Sequence, residues 1–286
     1  MNFFDVLLIN PITNILFLFY KGFEILHIPG TLGFAIIAAT VAIRLAVNPL
    51  MKHQIEQSAK MQELQPLISK LQKKYKDEPA KLQAAQMELY KEKKINPGLG
   101  CLMLIIQMPL FIGLYTALSQ AVVNGTAQKV IDGLNARFYF SFLHITRMDV
   151  SFFGFQLDQH PSAWQKLGWW YLIIPVVTGG LQLLQSYLTL KSTTSAKKEE
   201  PKSVDGKEEK KEPDMAVTMQ KQMMIIFPLM IGWMSFNFPV GLALYWNIFT
   251  LFGVWQYWQQ LKKKPAQEVV SRKAKVEIKS KAASLK

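Results

Sequence analysis

The chain alternates between long apolar stretches and charged segments, and several of the apolar stretches are long enough to cross a membrane. The clearest is a run of 40 residues, 222–261, that contains no Lys, Arg, Asp or Glu. As a helix it would extend roughly 60 Å at about 1.5 Å per residue, which is twice the hydrocarbon core of a bilayer. Asn237, Pro239 and Gly241 near its middle favour a turn. The run therefore predicts two spans joined by a tight hairpin.

Three further charge-poor stretches bring the number of predicted spans to five. Arg44 is the only charged residue in the first of them. Backbone groups in lipid must be hydrogen-bonded internally, so each span is predicted to be a helix. The predicted fold class is an all-α integral membrane protein with five transmembrane helices, a cytoplasmic helical hairpin and an N-terminal interfacial helix. The predicted spans are 31–51, 97–120, 168–190, 220–238 and 239–261.

Residues 1–30 are predicted to form an amphipathic helix that lies in the interface on the outer side of the membrane. Apolar side chains recur there at helical spacing, while Asn14, Lys21 and Glu24 interrupt the opposite side. The stretch lacks the basic start and the small-residue cleavage site of a signal peptide. A sixth, short span is an alternative that the pattern leaves open.

The segment 52–96 is long for a connection between adjacent spans. Leu64, Leu71 and Tyr75 share helical spacing before Pro79, and apolar residues resume that spacing after it. The pattern predicts a charged helical hairpin in the cytoplasm, which either links two spans or docks something that arrives from the cytoplasm. The other predicted segments are an outer loop over 121–167, a disordered linker over 191–219, and a basic tail over 262–286.

The basic residues predict the orientation of the spans. Segment 52–96 carries ten Lys, 191–221 carries eight, and the tail after residue 260 carries nine Lys and Arg together. The N-terminal segment and the outer loop are much poorer in basic residues. Positively charged loops stay in the cytoplasm, so the N-terminus is predicted outside and the C-terminus in the cytoplasm.

The tail and the overall net charge of +13 suggest anionic partners. A basic tail attracts anionic lipid, and it equally suits the phosphates of ribosomal RNA; composition leaves both open. The residues expected to make such contacts are Lys262, Lys263, Lys264, Arg272 and Lys273.

The sequence shows no pattern typical of catalysis. Cys101 is the single cysteine, which excludes a disulfide framework and a cysteine-based metal cluster. The four histidines are scattered without metal-ligand spacing, and no phosphate-binding glycine loop or nucleophile elbow occurs. The chain is therefore expected to be neither an enzyme nor a cofactor-binding protein.

Arg44 is the most informative residue, because an Arg at the centre of a span costs about 2.5–3.5 kcal/mol on the insertion scale. Its side chain could instead reach towards the cytoplasmic edge. No other predicted span offers an Asp or Glu to pair with it. We therefore predict a hydrated cavity open to the cytoplasm. Polar span residues that could line it are Thr40, Asn48, Gln107, Gln182, Gln185, Ser186 and Asn247.

Three stretches carry motifs that occur together in a known family. The first contains Arg44, the second joins the hairpin to the second span, and the third lies in the long uncharged run. They are Gly33-Phe34-Ala35-Ile36-Ile37 with Ile43-Arg44-Leu45 and Asn48-Pro49-Leu50; Asn96-Pro97 and Gly100-Cys101-Leu102 with Leu104-Ile105-Ile106-Gln107-Met108-Pro109; and Phe227-Pro228 with Asn237-Phe238-Pro239-Val240-Gly241-Leu242-Ala243-Leu244-Tyr245-Trp246-Asn247.

With these motifs in this order, the chain resembles the YidC family of membrane protein insertases over about residues 30–260. The resemblance implies a compact form, without the large periplasmic domain, in a bacterial plasma membrane. It also implies a hydrophilic cytoplasm-facing groove that inserts and helps fold nascent membrane proteins without nucleotide hydrolysis, alone or beside the Sec translocon. By that resemblance Arg44, Thr40, Gln107, Gln185 and Trp246 would line the groove, and the hairpin would capture substrate.

Two other functions remain open from the residues themselves. A positively charged cavity would also suit a small anion or solute transporter, although the spans show no internal repeat of the kind such proteins often have. A scaffold that only assembles other membrane proteins would make Arg44 dispensable.

Overall fold

The computed structural model describes residues 5–76, 78–93, 95–96, 108, 111–112, 115, 127–194 and 215–259. Helices dominate this part of the chain, as expected for an all-α membrane protein. A π-helical turn, Asp5–Ile9, leads into the first helix. The α-helices longer than four residues are α1 (Asn10–Ile25), α2 (Thr31–Ala46), α3 (Asn48–Glu63), α4 (Gln65–Lys74), α5 (Pro79–Glu92), α6 (Ala127–Asn135), α7 (Ile173–Thr194), α8 (Met215–Ser235) and α9 (residues 240–259).

Two helical segments of the described chain are long and apolar enough to cross a membrane, namely Asp5–Ile25 and Trp169–Thr189. A third arises if the bent pair Thr31–Ala46 and Asn48–Gln57 is taken as one span. The count of five spans therefore stays a prediction.

The first predicted span, 31–51, is not one straight helix. The chain bends by 60° between α2 and α3. Pro49 lies in the first turn of α3, where it has no N–H to continue the hydrogen bonding of α2 and disfavours helical geometry in the residue before it. Pro49 therefore accounts for the bend.

The helices on both sides extend into the segment predicted as a disordered linker, 191–219. α7 continues to Thr194 and α8 begins at Met215. Loss of hydrophobicity marks the edge of the membrane, but the hydrogen bonds of a helix continue past that edge into water. The sequence pattern therefore located the end of the apolar stretch and not the end of the helix.

The segment predicted as the outer loop is folded over residues 127–167 and packs against the helix ends. Its centre is a two-stranded antiparallel hairpin, β1 (Ser151–Phe152) and β2 (Phe155–Gln156). The carbonyl oxygens of Gln159 and Leu157 each accept a 2.8 Å hydrogen bond, from the N–H groups of Val240 and Gly241 respectively. The first N–H groups of a helix have no partner within the helix, so the loop supplies what the start of α9 lacks.

The loop also bonds to α1 along most of that helix. The Asn14 side chain donates to Arg137 O (3.0 Å) and accepts from the N–H of Tyr139 (2.8 Å). Tyr20 accepts from the N–H of Asp149 at 3.2 Å. The core of the protein lies here, among α1, α2, the loop and the start of α9. Its fully buried members are Phe17, Ala35, Ile36, Leu157, Leu242 and Tyr245.

α7 and α8 form a closely packed pair. A Cβ added to Gly232 would lie 3.1 Å from the Cα atom of Gly179. Small residues let two helix backbones approach in this way, which is how helices commonly associate in lipid.

α4 and α5 form a helical pair on the other side of the bend. Leu64 and Ile68 are buried there, together with Ile95, while Leu71 and Tyr75 are half-buried and Pro79 is exposed at the start of α5. Among the described residues, the apolar cluster that joins the pair is small. Most of the second predicted span and the whole basic tail lie outside the described residues.

Candidate functional site

Arg44 is buried among the helices, although it is permanently charged. It lies in the last turn of α2 and is 3% exposed. Thr40, one turn earlier on the same face, is also buried, and its hydroxyl donates to Ile36 O at 2.6 Å. Two polar side chains thus face inward on the C-terminal half of this helix.

The last helix, α9, provides the partners of Arg44. Nη2 of Arg44 donates to Phe249 O at 2.7 Å. The guanidinium carbon lies 3.4 Å from the centre of the Phe249 ring, a cation–π arrangement that partly offsets the loss of water. Nε and Nη1 are buried without a hydrogen-bond partner among the residues that the structure describes.

At Gly253, α9 lies close to both α7 and Arg44. A Cβ on Gly253 would lie 2.7 Å from Nε2 of Gln185 and 3.7 Å from Nη2 of Arg44. The first distance is too short for a real Cβ contact, so only glycine lets the Gln185 amide approach α9 here. Arg44 and Gln185 thus face the same short stretch of α9 from two different helices.

A second set of hydrogen bonds joins α7 to α9 nearby. Oε1 of Gln182 accepts from the Trp246 indole N–H at 3.4 Å and from the Thr250 hydroxyl at 3.1 Å. We call the side chains of Arg44, Gln182, Gln185, Trp246 and Thr250 the polar layer. This layer connects three helices of an otherwise apolar bundle.

Beyond the bend, a further polar pair joins the start of α3 to α9. Nε2 of Gln256 donates to Asn48 Oδ1 at 2.9 Å. Oε1 of Gln256 and Oδ1 of Asn247 are buried and lack hydrogen-bond partners within the described part of the chain. Buried polar atoms in native proteins are normally satisfied by protein or by water, so this region is suited to hold water.

The structure brings together three of the five predicted groove residues, Arg44, Gln185 and Trp246, and it puts Thr40 on the same face as Arg44. Gln107 lies outside the described residues. The predicted hairpin residues Leu64, Leu71, Tyr75 and Pro79 belong to the separate α3–α5 region. The predicted contact residues of the tail, Lys262, Lys263, Lys264, Arg272 and Lys273, also lie outside the described part. The role of each of these residues stays a prediction.

Sequence reasoning missed Phe249, Thr250, Gly253 and Gln256. Thr250 and Gln256 carried a usable signal, because polar residues in an uncharged apolar run often face a polar interior. Phe249 carried no such signal, since it contacts Arg44 through its backbone carbonyl and its ring face. No group of three or more His, Cys, Asp or Glu in the described ranges could hold a metal ion.

A bundle of apolar helices with a buried cation and a polar layer is typical of an integral membrane protein whose interior makes polar contacts. The family model described as 60Kd inner membrane protein matches residues 25–267. The chain belongs to this family, and the resemblance to the YidC group is confirmed.

Three relatives illustrate the range of the family. The chain is 32% identical over 248 residues to "Membrane protein insertase YidC" of Oceanobacillus iheyensis, covering 84% of this chain and 76% of that protein. It is 34% identical to "Inner membrane ALBINO3-like protein 2, chloroplastic" of Chlamydomonas reinhardtii, covering 82% and 51%. It is 29% identical to "Membrane protein insertase YidC" of Legionella pneumophila, covering 91% of this chain and 38% of that protein. The chain thus spans about half or less of the second and third relatives and three quarters of the first.

Proposed function

We propose that this chain is a membrane protein insertase, which moves hydrophilic segments of nascent membrane proteins into and across the bilayer and helps their helices fold. The observation that carries the proposal is the buried, incompletely bonded guanidinium of Arg44 within the polar layer. The names of the relatives give the class of activity. Insertion forms and breaks no covalent bond, so this role is not enzymatic and needs no cofactor.

The polar layer would lower the barrier that a hydrophilic segment meets in lipid. A charge moved from water into hydrocarbon loses its hydration, at a large cost in free energy. Arg44 is held at one nitrogen by Phe249 O, while two further nitrogens remain to bind water or an acidic group. A substrate tail could therefore exchange part of its hydration for hydrogen bonds to Arg44, Gln182 and Gln185. Such a groove, open to the cytoplasm, needs no nucleotide hydrolysis.

The proposed orientation has the N-terminus outside and the C-terminus in the cytoplasm of a bacterial plasma membrane. Contacts of α1 support its predicted interfacial position. The irregular loop follows α1 from Asp5, which pairs with Arg137, to Tyr20. Irregular backbone is not tolerated where it is exposed to lipid, so α1 and the loop together suit the membrane surface, although Asp5–Ile25 is also long and apolar enough to cross the membrane.

We further propose roles for the cytoplasmic segments. The α4–α5 pair would capture substrate, because its small core allows it to move independently of the spans. The basic tail would contact ribosomes or anionic lipid. Nascent membrane proteins, and for larger clients the Sec translocon, complete the proposed set of partners.

The test is protease protection of a small single-span client with a short acidic outer tail. The client is added to liposomes that contain the purified protein, either wild type, Arg44→Ala or Arg44→Lys. We expect protection with wild type and with Arg44→Lys, which keeps the charge. Arg44→Ala should protect at least several-fold less client, and the loss should be smaller for a client with an uncharged tail.

Arg147→Ala is the matched control, because Arg147 is exposed in the outer loop and its loss should leave protection unchanged. Equal protection with wild type and Arg44→Ala would contradict the role of the charge and retain the insertase. No protection of any of several clients by the wild type would overturn the insertase itself.

A further inference from the structure

The tip of the outer hairpin holds a bulky residue in an unfavourable backbone conformation. The pairing of Phe152 with Phe155 leaves Phe153 and Gly154 as a two-residue turn. Both have positive φ, +48° at Phe153 and +84° at Gly154. Tight hairpins of this kind favour Asn-Gly or Asp-Gly, because a side chain such as phenylalanine is strained at positive φ. A short polar residue at position 153 would suit the fold better.

The side chain of Phe153 also packs little against the rest of the protein. It is 80% exposed, more than any other large apolar residue of the described chain. The ring of its neighbour Phe152, whose centre lies 4.7 Å away, fills the corner between α1 and α2 against Gly30 and Gly33. The hairpin thus has one aromatic ring that anchors it to the protein and one that the protein leaves uncovered. Strain retained at an exposed position commonly indicates a function.

The surroundings of Phe153 indicate what covers it. Its ring centre lies 6.1 Å from that of Phe34, in the first turn of α2. Phe34 and Val41 are half-buried and Leu45 is exposed on one face of α2, which is the face we expect this helix to present to lipid. Residues 150–157 around the tip contain no charge. Phe153 therefore continues the lipid-facing surface of α2 at its outer end.

We propose that Phe153 inserts into the outer leaflet, at the boundary between headgroups and acyl chains, and anchors the outer loop to the membrane. Trp and Tyr favour this boundary, and Phe occurs there on the apolar face of interfacial helices. Phe152 fastens the same hairpin to the corner of α1 and α2, so the two rings together set the height of the loop relative to the spans. The ligand is the bilayer itself.

The experiment measures the depth of nitroxide labels in liposomes of phosphatidylethanolamine and phosphatidylglycerol. Cys101→Ser removes the native thiol, and single cysteines are introduced by Phe153→Cys, Val176→Cys and Lys129→Cys. Val176 is 73% exposed on α7 and reports lipid, whereas Lys129 is exposed on α6 and reports water. Collisions with oxygen and with a water-soluble nickel chelate should place the label at 153 about 5–10 Å below the headgroup surface.

A second arm keeps the label away from the anchor. A cysteine introduced by Gln156→Cys, at an exposed position of β2, is labelled with Phe153 intact, with Phe153→Leu or with Phe153→Asn. Asparagine suits the turn and removes the anchor, so Phe153→Asn alone should raise nickel collisions at position 156.

The proposal would be overturned if the label at position 153 collided with nickel as often as the label at position 129. It would also be overturned if Phe153→Asn left the nickel collisions at position 156 unchanged. Strong spin–spin broadening at high lipid-to-protein ratio would overturn it in favour of contact with a second copy of the chain. None of these readouts depends on insertase activity.

Discussion

The outer loop and the cytoplasmic hairpin both connect helices, yet they are built in opposite ways. The loop bonds to α1 and to the start of α9 through hydrogen bonds between residues far apart in sequence, such as Asn14 with Arg137 and Tyr139. Among the described residues, the α4–α5 pair is joined by a small cluster around Leu64, Ile68 and Ile95. The loop is therefore tied to the core, whereas the hairpin is expected to open by itself. In the proposed orientation, a rigid outer end and a movable inner end would suit a protein that takes in clients from the cytoplasm.

Asn14→Ala tests the ties of the loop and carries a large expected effect. The change leaves Arg137 O and the N–H of Tyr139 without their side-chain partner, and a buried unsatisfied group costs about 1–3 kcal/mol. We expect the free energy of unfolding to fall by about 3 kcal/mol, measured by SDS titration in mixed micelles. Asn237→Ala is the control, since Asn237 is exposed and its loss should change the value by less than about 0.5 kcal/mol. Equal effects of the two variants would mean that the loop is not tied through Asn14.

Gly33→Ala tests the second attachment of the loop, at the corner that Phe152 fills. A Cβ on Gly33 would overlap the Phe152 ring. Overpacking costs about 1–3 kcal/mol or more, while alanine gains up to about 1 kcal/mol in helix propensity. The expected net loss in the same titration is about 2 kcal/mol.

Gly22→Ala is the matched control for Gly33→Ala. A Cβ on Gly22, in α1, meets nothing within 4 Å, so this change should stabilise the protein. Combining Gly33→Ala with Phe152→Ala should cost no more than Phe152→Ala alone. A stabilising effect of Gly33→Ala by itself would show that the hairpin does not pack at this corner.

The same contrast explains how far sequence reasoning reached. Apolar runs and the charge of Arg44 are properties of single segments, so the membrane class, the helical character and the buried cation were predictable. The hydrogen bond from Arg44 to Phe249 O joins residues 205 positions apart, and the fit of Phe152 against Gly33 depends on tertiary packing. No periodicity records such contacts. The strained Phe153 is the extreme case, because local turn preferences argue against phenylalanine at that position.

Ile68→Ala in the hairpin is expected to have the smallest effect on global unfolding. Ile68 is buried, and loss of its side chain should destabilise the α4–α5 pair by about 2–3 kcal/mol. If this pair opens by itself, the loss appears as faster hydrogen exchange and proteolysis of residues 64–92, while the global unfolding free energy changes by less than about 0.5 kcal/mol. Ile36→Ala makes the same substitution in the core among α1, α2, the loop and the start of α9. Ile36 is fully buried there, so this change should lower the global free energy of unfolding by about 2–5 kcal/mol. A comparable global loss for both variants would mean that the hairpin unfolds together with the membrane helices, and the contrast between a tied outer end and a movable inner end would then fail.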